Sequence, residues 1–211
     1  MTTKKIGIIG AGAWGTAMAH SLARGGHEVC LWAFEEDVVA SINDEHENKR
    51  YLKGFTLSSR VKASSDIAYV AGDKEFLIIA TPSLFIAKTL EQIAGLPSIK
   101  NGSTCIGVLT KGFVPTENGP KLILDVVEST LPFVYNRNTV YISGPSHAEE
   151  VAMGKLTGLI AASENPKNSI RFRELLKVPG LMVFSSLDVI GVQICAAAKN
   201  VIAVVFGILD A

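Results

Sequence analysis

Short apolar runs alternate with stretches of helical periodicity along most of the chain, the pattern of βαβ units that build a mainly parallel sheet. Ile6-Gly7-Ile8-Ile9 predicts the first strand. A helix should follow over residues 16–24 until Gly25-Gly26 stops it, and Glu28-Val29-Cys30-Leu31-Trp32 predicts the second strand. Residues 37–53 are polar and read as a helix followed by a loop. Strands are expected over 76–80, 105–109 and 140–143, with helices over 84–96, 121–131 and 146–153. Two more strands, over 159–162 and 182–184, should flank a helix over 169–177. No internal repeat and no low-complexity segment interrupts the series.

The helix expected from Asp188 onward is of another kind. It is apolar on nearly every face, which predicts burial on all sides. Residues 189–209 have the length of a membrane span. Gln193, Lys199 and Asn200 lie inside that stretch, however, and a lysine at mid-bilayer is costly, so the expectation is a helix enclosed by protein and no membrane insertion. The sequence stops at Asp210-Ala211 with no returning element, so the cover is expected from a partner or from a C-terminal domain.

Gly10-Ala11-Gly12-Ala13-Trp14-Gly15 sits directly after the first strand and opens the first helix. That context turns an otherwise weak G-x-G-x-x-G match into a dinucleotide-binding turn. Gly10 would make the tight turn, Gly12 would admit the pyrophosphate, and Gly15 would let helix and strand pack closely. Free N–H groups of the helix start, with the positive end of its dipole, would hold the phosphates. The fold class is therefore α/β, a Rossmann-type doubly wound sheet over residues 1–187, with residues 188–211 beginning a separate helical unit. About 20 residues past the glycines stand Phe34-Glu35-Glu36-Asp37, where acidic groups suit a free ribose hydroxyl and repel a 2′-phosphate. No arginine in that run stands ready for such a phosphate, which tilts the cofactor towards NAD over NADP.

Charge narrows the function. Twenty Lys and Arg balance twenty Asp and Glu, so the surface as a whole gives no electrostatic footprint for gripping nucleic acid or an anionic membrane, and any phosphate must be caught locally. Cys30, Cys105 and Cys195 sit far apart in apolar runs without metal-ligand spacing, which predicts buried thiols, no metal site and a reducing compartment. Met1-Thr2-Thr3-Lys4-Lys5 runs straight into a strand, with no room for a signal peptide, so a cytoplasmic location is expected.

Lys111, in Thr110-Lys111-Gly112, follows a strand at the edge where open α/β sheets bind ligands, and could meet a substrate oxygen; a solvated loop lysine is the plain alternative. Gly144-Pro145-Ser146-His147-Ala148 joins another strand to a helix, so Ser146 could cap that helix or the turn could offer N–H groups to an anion. His147 reads as packing or solvent-facing. Lys199 lies in the apolar helix, where burial would lower its pKa towards the range useful for proton transfer. Asn200, beside it, could orient substrate or cofactor.

Together the segments Gly10–Thr16, Leu31-Trp32, Thr110-Lys111-Gly112, Gly144-Pro145-Ser146 and Ala198-Lys199-Asn200-Val201 resemble the NAD(P)-dependent glycerol-3-phosphate dehydrogenases along essentially the whole chain. Phe34-Glu35-Glu36-Asp37, with His46-Glu47-Asn48 and Tyr51-Leu52, is similar to the NAD-using eukaryotic branch, while Gly144-Pro145-Ser146 is similar to the bacterial branch, many of whose members carry a basic residue near Phe34 and use NADP. The resemblance implies reversible hydride transfer between NAD (favoured) or NADP and dihydroxyacetone phosphate, giving sn-glycerol 3-phosphate and linking glycolysis to glycerophospholipid synthesis. It implies Lys199 as general acid and base. Lys111, Gly144, Ser146 and Asn200 would bind substrate, with Lys111 keeping Lys199 partly neutral. Gly10, Gly12, Ala13, Trp14, Gly15, Phe34, Glu35, Lys111 and Ala148 would contact the cofactor. It also implies an all-α C-terminal substrate domain, otherwise absent from this sequence, that supplies the phosphate site and could carry a homodimer contact. A chain limited to these 211 residues is expected to bind dinucleotide and turn over poorly. A related hydroxyacid dehydrogenase and a non-catalytic dinucleotide-binding module are the alternatives.

Overall fold

The computed structural model describes residues 2–117 and 119–210. Its elements begin with β1 (Lys5–Ile9), α1 (Ala13–Arg24), β2 (Glu28–Trp32), α2 (Glu36–Glu45), β3 (Val61–Ser64), α3 (Ile67–Ala71) and β4 (Phe76–Ile79). Then come α4 (Ile86–Ile93), α5 (Pro97–Lys100), β5 (Cys105–Val108), β6 (Phe113–Val114), β7 (Lys121–Leu122), α6 (Ile123–Thr130) and β8 (Val140–Ser143). The series closes with α7 (Ala148–Ala152), β9 (Thr157–Ala162), α8 (Pro166–Leu175), β10 (Leu181–Ser186) and α9 (Val189–Leu209).

Eight strands form one sheet in the order β10-β9-β8-β5-β4-β1-β2-β3. All neighbours run parallel except β8 and β9, which pair antiparallel through Tyr141↔Ala162 and Ile142↔Ala161. The chain winds from β1 outward to β3 and then returns to build the other half from β4, so the order reverses between β1 and β4. Ligands of open α/β sheets bind outside the carboxyl ends of strands at such a reversal. The mainly parallel, doubly wound expectation therefore describes the fold, with β9 and β10 turned against the rest.

β4, β5 and β8 are buried along their full lengths, as strands covered by helices on both faces must be. One face packs under α1, α7 and α8, with Phe172 from α8 edge-to-face on Phe76 at 5.3 Å. The other packs under α3, α4 and α6. Several boundaries differ from the periodic pattern for identifiable reasons. α1 starts three residues early because Gly12 already serves as its N-cap. α8 starts at Pro166 because Asn165 caps it, accepting from Lys167 N at 3.0 Å. His147, not Ser146, occupies the N-cap of α7.

α9 departs most from expectation. Only Val189 and Gln193 are buried, and residues 200–210 are exposed. The all-round burial read from its composition is not met among the described residues, because α9 touches β7, β8 and β9 with its first half and runs on past the sheet. It is long and apolar enough to cross a membrane, with a mean hydropathy of 2.0 over the most apolar window. Cys195 lies on it and is exposed, so the expectation of three buried thiols holds for Cys105, half-holds for Cys30 and fails for Cys195.

Candidate functional site

Gly10 leaves β1 with φ +120°, a conformation that L side chains rarely adopt, and its N–H donates to Trp32 O at 3.1 Å. A Cβ at Gly15 would stand 2.0 Å from Gly10 O, so helix and turn approach as closely as backbone permits. Above Gly12, in contrast, a Cβ would meet nothing within 4 Å. No side chain caps α1, whose first N–H groups therefore face that open space from Gly12, Ala13 and Trp14. The arrangement fits a pyrophosphate: a bare backbone cradle, the positive end of a helix, and no side chain in the way.

The turn is braced from a distance. Asn48, fully buried, donates through Nδ2 to Ala11 O and to Thr16 Oγ1, both at 2.8 Å. Thr16 Oγ1 donates in turn to Ala11 O at 3.1 Å, and Asn48 Oδ1 accepts from Tyr51 N at 3.0 Å. The loop after α2 therefore fixes the Ala11 carbonyl and with it the outline of the turn. Asn48 carries no periodic signal; it enters the sequence reading only through the resemblance, in His46-Glu47-Asn48, with no role attached.

At the carboxyl end of β2 the Phe34 ring is 79% exposed, a large apolar surface left open beside the cradle. Glu35 is the N-cap of α2, and its Oε1 accepts from Tyr51 Oη at 2.6 Å. Arg50 stands over the Tyr51 ring, 5.4 Å from its centroid, with its guanidinium 3.8 Å from Glu35 and 3.7 Å from Asp37. The run 34–37 holds no arginine, yet one reaches it from the returning loop, which corrects the expectation that none stands ready there. His46 ends α2 in the left-handed conformation (φ 54°) and turns the chain, so that a residue remote in sequence returns to the acidic run.

The opposite wall comes from β5 and β8. Lys111 follows β5, and its Nζ lies 5.4 Å from the centre of the Trp14 ring, so the two candidate residues face each other across the reversal point. Burial, then the nearby charge of Lys199, lowers the Lys111 pKa to about 8. Lys199, like Lys111, is partly buried, and it donates to Ser146 O at 2.9 Å. Ser146 is buried and its hydroxyl donates to Gly144 O at 3.3 Å. Gly144, Pro145, Asp188, Cys195 and Lys199 border a cavity of about 560 Å³ between the end of β8 and α9. Ala148 opens α7, packed beside α1, and His147 is exposed. Asn200 is exposed on α9 and does not line this cavity.

Polar groups left unpartnered at the crevice complete its chemistry. Thr81, buried at the end of β4, accepts through its carbonyl from Thr110 Oγ1 at 2.7 Å, while its own hydroxyl has no partner. Trp14 Nε1 is likewise buried without one. Buried polar groups are nearly always satisfied, so such orphans at the mouth of a cradle are suited to a ligand. In the sequence Thr81 carries no signal beyond following the strand over 76–80.

A family model described as the NAD-dependent glycerol-3-phosphate dehydrogenase N-terminus matches residues 5–169. The chain is 53% identical over 213 residues to glycerol-3-phosphate dehydrogenase [NAD(P)+] of Treponema denticola, covering 98% of this chain and 60% of that protein. The enzyme of the same name from Bacillus subtilis is 36% identical, with 98% and 59% covered. Among solved structures, glycerol-3-phosphate dehydrogenase from Coxiella burnetii superposes with a TM-score of 0.85 at 33% identity, over 99% of this chain and 61% of that one. The chain thus spans about 60% of the length of the curated relatives it matches.

Proposed function

The chain belongs to the family of NAD-dependent glycerol-3-phosphate dehydrogenase N-termini, and on that premise we propose that it forms the cofactor-binding part of an enzyme interconverting dihydroxyacetone phosphate and sn-glycerol 3-phosphate. The single observation that carries the reading is the approach of Lys111 Nζ to the Trp14 ring, 5.4 Å from its centre. It brings a cation from the β5 edge to the helix that opens on the glycine turn, so phosphate cradle and reacting end share one crevice. NAD or NADP, when bound, supplies or takes up the hydride. Gly10, Gly12 and Gly15 shape the turn, and the N–H groups near Ala13 and Trp14 hold the phosphates. Phe34 lies against the adenosine end, and Glu35 accepts from its ribose.

Lys111, with its pKa lowered to about 8, is charged at neutral pH and holds the substrate oxygen. Lys199 Nζ, now on Ser146 O, passes a proton to that oxygen as the hydride arrives and takes it back in reverse. Gly144 and Ser146 wall the substrate space, Ala148 flanks the nicotinamide end, and Asn200 orients substrate once the rest of the longer protein stands against α9. In this reading residues 188–211 open an all-α domain, which covers the exposed face of α9 and offers the surface for a homodimer. The working form is cytoplasmic and free of membrane.

Lys199→Ala in the protein carrying this chain tests the assignment. The rate of dihydroxyacetone phosphate reduction should fall by about a hundredfold or more while NADH affinity holds. An unchanged rate, or an equal loss of rate and cofactor affinity, would overturn it.

A further inference from the structure

The ribose end of the crevice holds a cation whose partners are loose. Arg50 stands 3.8 Å from Glu35 and 3.7 Å from Asp37, beyond normal hydrogen-bond length, and its side chain is half-exposed. Its guanidinium donors are therefore held by through-space attraction and can be re-aimed at small cost. Glu35 does not depend on it. Tyr51 Oη donates to Glu35 Oε1 at 2.6 Å, so the carboxylate stays anchored when Arg50 turns away. The Tyr51 ring, 5.4 Å below the Arg50 guanidinium, keeps that cation at the same end of the crevice.

We propose that Arg50 is the residue through which this site accepts a 2′-phosphorylated dinucleotide as well as an unphosphorylated one. The inference rests on the reading of the crevice as an NAD(P) site. With a free ribose, Glu35 accepts from the hydroxyl and Arg50 stays over Tyr51, offsetting the charge of the acidic run. With a 2′-phosphate, Arg50 leaves the carboxylates and donates to the phosphate oxygens, two N–H groups at a time. The acidic run still opposes that phosphate, so NADH remains the tighter ligand and Arg50 sets by how much. Residues 34–37 alone tilt the site towards the unphosphorylated dinucleotide; the returning loop brings the cation that sets how far.

Titration of the protein carrying this chain with NADH and with NADPH, followed by indole fluorescence, reads that ratio. Arg50→Gln should weaken NADPH by about tenfold or more and change NADH by less than about threefold, while Arg50→Lys should restore part of the loss. Glu35→Gln should move the ratio the other way, weakening NADH and tightening NADPH. Equal effects of Arg50→Gln on both cofactors, or none on NADPH, would overturn the role of Arg50 while leaving the cofactor site intact. Failure of the unaltered chain to bind either would overturn the dinucleotide reading and this inference with it.

Discussion

On the β1 side the crevice is made of buried groups bonded to one another, whereas on the α9 side it hangs on a few polar contacts along a mostly exposed helix. Gly10, Gly15, Thr16 and Asn48 form a closed set in which each group fixes the next. Lys199 is held by a single bond to Ser146 O, and α9 by Gln193 and by the Asp188 cap on Gly191 N at 2.8 Å. The difference separates the tasks. A phosphate cradle must be pre-formed to bind tightly, because ordering it at the moment of binding would cost affinity. A lysine on a helix with little cover can still be repositioned.

The sharpest way to break the comparison is to damage the rigid side. Gly15→Ala puts a Cβ 2.0 Å from Gly10 O, backbone that cannot step aside, so α1 must move off the turn. We expect a stability loss of about 3 kcal/mol or more and a fall in NADH affinity by at least about tenfold, read by chemical denaturation and by titration. Wild-type stability and affinity together would show that the turn is softer than its contacts imply. Asn48→Ala should act more gently in the same direction. It removes three hydrogen bonds, two of them buried, and should cost about 1–3 kcal/mol, with weaker NADH binding than the stability loss alone explains. A loss of stability with unchanged affinity would make Asn48 merely structural.

These two positions also mark how far the sequence could be read. Gly15 was legible because strand, glycine spacing and helix lie within one short window. The contacts of Asn48 and Arg50 were not, since Ala11, Thr16 and Glu35 are reached only after His46 turns the chain back. β3 went unread for a related reason: Val61-Lys62-Ala63-Ser64 has little strand character of its own and gains it by pairing Val61 with Val29. α9 shows the opposite error. Its apolar residues were read as burial on all sides, but periodicity states only which faces avoid water, not whether anything stands there to cover them.

The looser side can be weakened by one residue. Gln193 is buried, accepts from Leu124 N at 2.9 Å in the uncapped first turn of α6, and donates to Val189 O at 3.3 Å. Gln193→Leu keeps the volume and leaves the Leu124 N–H without its partner, at about 1–2 kcal/mol. Backbone amides of α9 should then exchange faster while those of α1 are unchanged. Faster exchange in both helices would mean that the two sides are not independent.

The smallest expected effect is an acid one, and it falls on the rigid side alone. His20 Nδ1 accepts from Ser58 N at 3.0 Å and His27 Nδ1 from Lys4 N at 3.3 Å, so both rings are bonded in their neutral form. Burial lowers both pKa values below 6.5, assisted by Arg24 at His20 and by Lys4 at His27, with the Leu175 carbonyl and Glu75 opposing at His27. Below about pH 6.5 the unfolded chain then binds protons that the folded chain refuses, so this stability is fully present above that pH and is lost as the pH falls towards the folded values. The thermal midpoint should drop between pH 7 and 5, and His20→Asn, whose amide oxygen can accept from Ser58 N without titrating, should flatten part of the drop. An equal slope in the variant would show that His20 is not among the groups refusing the proton. Because both histidines belong to the α1 side of the sheet, the acid loss should appear in the amides of α1 and β2 before those of α9.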